Sequence, residues 1–333
     1  VDVLVIGGSR FMGRQLAARL VAHGVRTTLL NRGTHDDGLG ASVTRLVADR
    51  TDERFDRALA GRRFDAVIDF AGYTGDDLTR AVRVLEGRVG HYLFVSTGQV
   101  YLVREGCPSP SREEDADGPL IAQPEDALDR EEHAYGVGKR EAEAVLARAH
   151  HESGFPATCV RIPMVHGPGD PHRRIERVIA RVLDGGPVLA PRAHATVRHV
   201  HAPTIASMLV SMIGARRTIG RAYNVAPSEP TTVGAFLGRI VRHLGSDAPV
   251  VPVDDVMLAR YGLRAEDVCP IGGRWMSVLD PTRAVRELGL VHPPADAWLP
   301  GVIDAVIATM GREPLAELAH RDRERALLAQ LRP

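Results

Sequence analysis

Cysteine is scarce in this sequence: Cys107, Cys159 and Cys269 are three in number and show no paired spacing. That excludes a disulfide-stapled scaffold and a zinc site of the Cys-x-x-Cys kind, and it points to a reducing compartment. Net charge is absent as well. Forty-two Lys and Arg balance forty-two Asp and Glu, so no overall field draws the chain to nucleic acid or to an anionic membrane surface. No apolar run approaches the roughly 20 residues of a membrane-spanning helix. A strand-like segment begins almost at residue 1, so no signal peptide is expected. The expectation is a cytoplasmic protein that binds a small molecule rather than a membrane or a nucleic acid. With 333 residues, 44% hydrophobic and 25% charged, the chain can bury one large core or two modest ones.

What is present is organised around the first few dozen residues. Residues 3–6 are a short apolar run, too short for a helix and suited to a buried parallel strand. Gly7 and Gly8 make a tight turn, and Met12, Leu16 and Leu20 then recur at helical spacing until Gly24. A strand, a glycine turn and a helix in that order present free backbone N–H groups at the positive end of a helix dipole, a site for a pyrophosphate. A second strand at 26–30 follows where a right-handed crossover would place it. Further strand-like runs lead into Asp49, Asp69 and Ser96, and another spans 157–162. Leu78, Val82 and Leu85 mark a helix face among them. The alternation predicts an α/β fold, a Rossmann-type doubly wound parallel sheet whose ligands sit beyond the carboxyl ends of the strands.

Beyond about residue 165 the alternation weakens, and proline and glycine become frequent. The expected division is an NAD(P)-binding domain over 1–165, with returning segments near 195–225, and a smaller substrate-binding region with C-terminal helices over 166–333. Residues 198–201 are the segment expected to return to the first sheet as a strand. Residues 103–132 are acidic and rich in proline and glycine, and they read as a solvated loop, with a functional lid as the alternative. The tail, 314–331, reads as an amphipathic helix carrying Leu315, Leu318, Leu327, Leu328 and Leu331. It packs on its own domain or makes a subunit contact, which leaves a homodimer open.

The chemistry centres on His133-Ala134-Tyr135-Gly136-Val137-Gly138-Lys139. A tyrosine and a lysine four apart lie on one helix face, one turn from each other. A phenol of pKa about 10 is a poor base at neutral pH, and a nearby ammonium stabilises the phenolate. Tyr135 can then take a proton from a substrate hydroxyl while hydride leaves for a nicotinamide, or return one in the reverse direction. Thr97, ending the fifth strand, would hydrogen-bond the same oxygen. Gly136 and Gly138 each cost a helix roughly 1 kcal/mol relative to alanine, which signals either close packing against cofactor or a weak helix. His199 and His201 alternate like a metal pair, but no third ligand stands nearby in sequence, so no metal site is expected.

Cofactor and substrate preferences follow from charge. NAD enzymes of this architecture usually carry an Asp or Glu at the end of the second strand, where this chain reads Leu30-Asn31-Arg32. The missing carboxylate, with Arg32 and Arg10 able to pair a 2′-phosphate, favours NADP(H) over NAD(H). The alternative leaves both arginines in solvent and Asn31 on a plain ribose. Arg173 and Arg174 lie near a helix start after Gly167-Pro168-Gly169-Asp170, where positive side chains are unfavourable unless an anion compensates. Either they are solvated and pair with the acidic loop, or Arg174 binds a phosphate or carboxylate of the substrate.

Several segments carry a family resemblance, in order: Gly7 to Gly13, Asn31-Arg32-Gly33, Ala48-Asp49-Arg50-Thr51-Asp52, Val67-Ile68-Asp69-Phe70-Ala71-Gly72-Tyr73, Gly90 to Thr97, Tyr135 to Lys139, Arg161 to Asp170 and Ala222-Tyr223-Asn224-Val225. Over about residues 1–230 the chain resembles the extended, atypical short-chain dehydrogenase/reductases, most closely the NAD-dependent epimerase/dehydratase-like reductases related to the chloroplast stem-loop-binding proteins. The resemblance implies that Gly7, Gly8, Ser9, Arg10, Phe11, Met12 and Gly13 line the pyrophosphate, with Asn31 and Arg32 on the adenosine side. It implies further that Asp49 meets the adenine with Arg50 beside it, and that Phe70, Ala71 and Gly72 run along the cofactor. Ser96 and Ile162 join these contacts, and Pro163 lies near the carboxamide. Thr97, Tyr135 and Lys139 form the catalytic set, with Lys139 also holding the nicotinamide ribose, and Thr97, Tyr101 and Arg174 are the substrate candidates. The chain departs from the pattern at Arg10, at Leu102 and at Ala202-Pro203-Thr204, none of which removes a catalytic group.

The leading reading is therefore an NAD(P)-dependent oxidoreductase or epimerase/dehydratase acting on a hydroxyl or ketone of a small polar substrate, such as a nucleotide- or phosphate-linked sugar. One alternative is RNA binding of the stem-loop type, against which the zero net charge and the lack of an aromatic-rich basic patch count. Another is a non-catalytic NADP-sensing protein, against which the intact Thr97, Tyr135 and Lys139 count.

Overall fold

Strand and helix alternate from the first residues of a computed structural model that describes residues 1–310, 318 and 320–331. The chain divides into two units, the first made of Val1–Pro163, Ala202–Ala226 and Leu279–Val291, the second of Met164–His201, Pro227–Val278 and His292–Pro333. The first unit opens with β1 (Asp2–Ile6), α1 (Phe11–Ala22), β2 (Arg26–Asn31), β3 (Thr44–Val47), α2 (Glu53–Leu59) and β4 (Ala66–Asp69). It continues through α3 (Gly75–Leu85), β5 (Tyr92–Thr97), α4 (Gln99–Leu102), α5 (Ala127–Ser153) and β6 (Ala157–Ile162). The second unit begins with β7 (Val165–His166), α6 (Arg174–Leu183), β8 (Val188–Pro191), β9 (Thr196–Val197) and β10 (Val200–His201). The first resumes with α7 (Ala202–Met212) and β11 (Arg221–Asn224). Back in the second come β12 (Thr231–Thr232), α8 (Val233–His243), β13 (Val250–Val253), α9 (Asp255–Arg260) and α10 (Ala265–Val268). Then α11 (Thr282–Leu288) belongs to the first unit, and α12 (Ala295–Thr309) and α13 (Arg321–Leu331) to the second.

In the first unit a seven-stranded sheet runs in the order β11-β6-β5-β4-β1-β2-β3, with every pair parallel. Val3, Leu4, Val5 and Ile6 are all buried, as a central parallel strand covered on both faces requires. The register sets Ile6 level with Leu30 and Asp69, and Thr97 level with Ile162, so the strand ends that sequence analysis singled out share one edge. Helix α3 starts on a capping box in which Thr74 and Asp77 satisfy each other's backbone N–H groups. It buries Leu78, Ala81 and Leu85, so Val82, expected on that face, is only half-buried.

Three expectations need correction. Residues 198–201 do not return to the first sheet: Val200 and His201 pair with Val165 and His166 in a two-stranded parallel piece, and the returning strand is β11, alongside β6. An alternating tetrapeptide specifies a strand but not its partner, and β10 ends after two residues, where α7 begins. The 103–132 segment is more than a solvated loop. Ser111, Glu113 and Ala116 are buried, Glu113 accepts from the Asn224 N–H at 2.8 Å, and α5 has begun by Ala127. The C-terminal helix spans Arg321–Leu331 and Leu318, expected on it, is not helical; the expected start at 314 and Leu315 lie outside the described residues.

The second unit packs a core of its own, with Val178, Ile179, Leu189, Phe236, Leu237, Trp298 and Leu327 among its buried members. Helix α13 is fastened to α6 by Arg181, whose guanidinium meets Glu324 at 2.6 Å with both side chains almost fully buried. No helix among the described residues is long and apolar enough to cross a membrane.

Candidate active site

The turn after β1 is built from backbone alone. Gly7 adopts φ +86°, a conformation costly to any residue with a Cβ. A Cβ at Gly13 would lie 2.4 Å from the Gly7 carbonyl oxygen, and one at Gly8 would lie 2.8 Å from Leu29 Cδ2. The close approach of turn and helix therefore depends on these glycines. Arg10, at the N-cap of α1, is exposed and makes no side-chain cap. The first N–H groups of α1 thus keep no side-chain acceptor there, an arrangement that fits a pyrophosphate. Ser9, Phe11 and Met12 are partly exposed along this turn.

Beyond β2, the Asn31 side chain accepts from the Gly33 N–H at 2.8 Å, and Arg32 is exposed. Asp49 accepts from the Thr51 N–H and hydroxyl at 2.9 and 2.7 Å. These bonds, with Arg32 as a weaker neighbour, hold its carboxyl below the usual range. Arg50, counted as a cofactor contact in the sequence, is buried and committed elsewhere. Its Nη1 donates to both oxygens of Asp69 at 2.9–3.0 Å, and its Nη2 to the Asp77 carbonyl at 2.9 Å. Asp69, fully buried, also accepts from the Tyr92 hydroxyl at 2.5 Å and from the Ala71 and Gly72 N–H groups at 2.8 and 3.0 Å. One carboxylate thereby fixes the Phe70-Ala71-Gly72 loop beside the phosphate turn, where a Cβ at Gly7 would lie 3.2 Å from Ala71 Cβ.

Helix α5 begins on Asp126, which accepts from the Leu128 and Asp129 N–H groups. One face carries Tyr135 and, a turn later, Lys139. Lys139 is buried and donates from Nζ to the Val95 carbonyl at 2.8 Å. The ammonium stands 4.5 Å from the Phe94 ring centroid, 5.3 Å from Tyr73 and 6.0 Å from Tyr135. Burial brings its pKa down to about 8, opposed by the attraction of Asp69. Tyr73, which sequence analysis did not single out, is half-exposed with its ring 6.3 Å from that of Tyr135. The two helix glycines serve protein packing: a Cβ at Gly138 would lie 2.5 Å from the Tyr73 carbonyl oxygen, and one at Gly136 would lie 2.6 Å from Val103.

Thr97 ends β5 partly exposed, and its hydroxyl oxygen accepts from the Gln99 N–H at 3.3 Å. Ile162 and Pro163 lie buried at the adjoining end of β6. Ser96 and Tyr101 are placed behind this edge. Ser96 donates to Glu143 at 2.5 Å, and Glu143 pairs with Arg161. Tyr101, proposed from the sequence as a substrate contact, is 1% exposed. Its hydroxyl donates to Asn224 at 2.6 Å and accepts from Arg161 at 2.8 Å, so it is a structural residue. Burial, offset by Arg161, raises its pKa.

In the second unit, Arg174 Nη1 pairs with Asp170 at 2.9 Å and Arg173 with Glu176. His199 meets His166 at 3.0 Å in a buried cluster with Phe236. Burial lowers His199 to about 3, and no group of three or more metal-ligating side chains occurs among the described residues.

Comparison with known proteins gives these residues a family. Residues 3–226 match the profile of the NAD dependent epimerase/dehydratase family. The chloroplast stem-loop binding protein of 41 kDa b of Arabidopsis thaliana is 24% identical over 245 residues, covering 69% of this chain and 60% of that protein. The chain thus spans about 60% of that relative's length. UDP-glucose 4-epimerase of Thermotoga maritima, solved with UDP-glucose, superposes with a TM-score of 0.73 at 18% identity, covering 93% of this chain and 100% of that one. A dTDP-glucose 4,6-dehydratase of Streptomyces venezuelae, solved with NAD, superposes with a TM-score of 0.71 at 18% identity, covering 93% and 98%.

Proposed function

The chain belongs to the NAD dependent epimerase/dehydratase family, and from that premise we propose that it is an oxidoreductase or an epimerase/dehydratase acting on a hydroxyl or ketone of a nucleotide- or phosphate-linked sugar. The observation that carries this reading is the pairing of Tyr135 with a buried Lys139 one helical turn away. The names of the structural neighbours, a UDP-glucose epimerase and a dTDP-glucose dehydratase, support the substrate class. A bound nicotinamide dinucleotide supplies reversible hydride exchange with the carbinol carbon. In the oxidising direction Tyr135 takes the hydroxyl proton while Thr97 orients the same oxygen, and Lys139 lowers the cost of the phenolate. In the reverse direction Tyr135 returns the proton to the alkoxide. The glycine turn and the start of α1 hold the pyrophosphate, Asp49 the adenine, Ala71 and Gly72 the face alongside, and Pro163 the carboxamide end. Arg174, which pairs with Asp170 through Nη1 at 2.9 Å, is the residue assigned to a phosphate or carboxylate of the substrate.

NADP(H) is the cofactor assigned over NAD(H), supported by the exposed Arg10 and Arg32 and by β2 ending in Asn31 rather than a carboxylate. The test of the catalytic reading uses UDP-glucose and dTDP-glucose as probes with each cofactor, following reduced nicotinamide by absorbance and sugar products by chromatography. Tyr135→Phe is expected to lower turnover by about 10²–10⁴ and to leave cofactor affinity unchanged. Near-normal turnover in that variant would remove Tyr135 from its role. A second reading, RNA binding, is favoured by the name of the Arabidopsis relative. It calls for stem-loop RNA binding that weakens steeply with salt, which a mobility-shift titration would read.

A further inference from the structure

Lysine is almost absent from this chain: of 42 basic side chains, one is a lysine, and it is Lys139. That residue is 2% exposed. An ammonium is strongly hydrated and is rarely buried so fully, so whatever keeps water from it bears on its chemistry. On the sheet side, Nζ donates to the Val95 carbonyl at 2.8 Å and stands 4.5 Å from the centroid of the buried Phe94 ring. A second ring, that of Tyr73, has its centroid 5.3 Å from Nζ. Unlike Phe94, Tyr73 is 53% exposed, so its side chain reaches from the ammonium to solvent.

The loop that carries Tyr73 is pinned on both sides of it. Asp69 accepts from the Ala71 and Gly72 N–H groups, and Asp77 accepts from those of Tyr73 and Thr74 at 2.8 and 3.1 Å. From α5, Gly138 packs so closely that a Cβ there would lie 2.5 Å from the Tyr73 carbonyl oxygen. The ring is therefore carried on a fixed backbone, and its centroid lies 6.3 Å from that of Tyr135. Its effects on the ammonium oppose each other. The ring face attracts a cation and favours the charged form, while the ring's bulk excludes water and disfavours it. Burial is the larger influence on Lys139 and brings its pKa down to about 8. Asp69, Glu143 and the Cys159 thiol work for the charged form, and Arg50 works against it.

We propose that Tyr73 is a positioning residue whose ring seals the Lys139 ammonium from water and holds it beside the Tyr135 phenol. The inference rests on the reading of Tyr135 and Lys139 as the proton-transfer pair. A charge shielded from water acts more strongly on its neighbours, so the ring works on the phenol through Lys139.

Because Lys139 is the only lysine, growing the full chain on 13C-labelled lysine gives one side-chain signal, and its titration reads the ammonium directly without any substrate. Tyr73→Phe keeps the ring and is expected to titrate with the parent. Tyr73→Ala opens the ammonium to water and is expected to titrate higher, by about one pH unit, towards the ordinary 10.5. If Tyr73→Ala does not fold, Tyr73→Ser carries the same expectation. The small-side-chain variant should also move the pH dependence of turnover in the oxidising direction to higher pH, since a hydrated ammonium stabilises the phenolate less. A lysine signal that titrates as in the parent, or lower, in that variant overturns the proposal. So does an equal shift in Tyr73→Phe, which would put the effect on the hydroxyl rather than the ring. A lysine shift with an unmoved turnover profile overturns the positioning role. Near-normal turnover in Tyr135→Phe overturns the catalytic reading by itself, and the lysine titration then still decides whether the ring seals the ammonium.

Discussion

Replacing Asp69 by asparagine tests the architecture of the nucleotide edge at its most connected carboxylate. In the folded chain Asp69 is fully buried and accepts from Arg50, Tyr92, Ala71 and Gly72. Asparagine keeps one carbonyl oxygen but turns the other acceptor into a donor, which then faces the Arg50 guanidinium in either orientation, together with the Tyr92 hydroxyl in one and the Ala71 and Gly72 N–H groups in the other. Arg50, 8% exposed, would be left with Asp77, whose carboxylate is 3.3 Å from Nε in an ion pair without hydrogen-bond geometry. Breaking a buried pair by removing one partner costs about 3–5 kcal/mol. The surviving Asp77 contact sets the expectation at the lower end, about 3 kcal/mol. For a unit of this size that corresponds to a melting-temperature loss of roughly 6–12 °C. Far-UV circular dichroism reads it directly. Both tryptophans, Trp275 and Trp298, lie in the second unit, so their emission supplies a comparison from residues that do not touch the mutated network. Because Asp69 also holds the Ala71 and Gly72 N–H groups, cofactor affinity should fall by about ten-fold or more. A loss below about 1 kcal/mol, or roughly 2–4 °C, would refute the assignment of Asp69 as the counter-charge of Arg50.

Arg32→Ala should weaken NADPH by about ten-fold or more while changing NADH little, because a charge-assisted contact of roughly 1.5–3 kcal/mol exists only with the extra phosphate; equal weakening in fluorescence titrations would remove Arg32 from that role. Lys139→Met should be more stable relative to the parent at pH 7 than at pH 10. The folded-state pKa of Lys139 is lowered to about 8 from 10.5, so the parent carries a burial penalty below pH about 8 that is relieved as pH rises towards the unfolded value. A melting-temperature difference between the two proteins that does not change with pH would contradict it.

The elements of the first unit were legible because their signals are local. Residues 3–6 sit inside β1, the second strand and the helix between them follow the apolar spacing, and 157–162 coincides with β6. Pairing was less legible. Residues 198–201 have the alternation of a strand, but nothing in four residues chooses between Val165–His166 and the edge of the seven-stranded sheet as partner. The strand that does return is Ala222-Tyr223-Asn224 with Arg221, and it is the complete burial of Tyr223 and Asn224 in the fold, not their neighbours in sequence, that identifies it. The loop at 103–132 was misread for a related reason. Its composition is that of a solvated segment, and residues distant in sequence bury it, among them Asn224 and Arg161, 111 and 48 positions from Glu113.

The same distinction divides the candidate site. Features set by spacing along one element survive intact: the glycine turn, Tyr135 and Lys139 one helical turn apart, Thr97 at a strand end. Roles that depend on what a side chain meets across the fold could not be read from its neighbours in sequence. Arg50 follows Asp49 and reads as part of an adenine pocket, yet its partner is Asp69, 19 positions on. Ser96 adjoins Thr97, but its hydroxyl turns to Glu143, 47 positions away. Tyr101 is the clearest instance. Four residues after Thr97, a phenol invites a substrate role, but the short helix α4 turns the chain so that the hydroxyl meets Asn224, 123 positions away. A burial this complete, with both its donor and acceptor satisfied, makes the phenol a brace for the β5, β6 and β11 ends. The proton chemistry proposed for this site rests instead on the one phenol on α5, Tyr135, which stays partly exposed beside an ammonium.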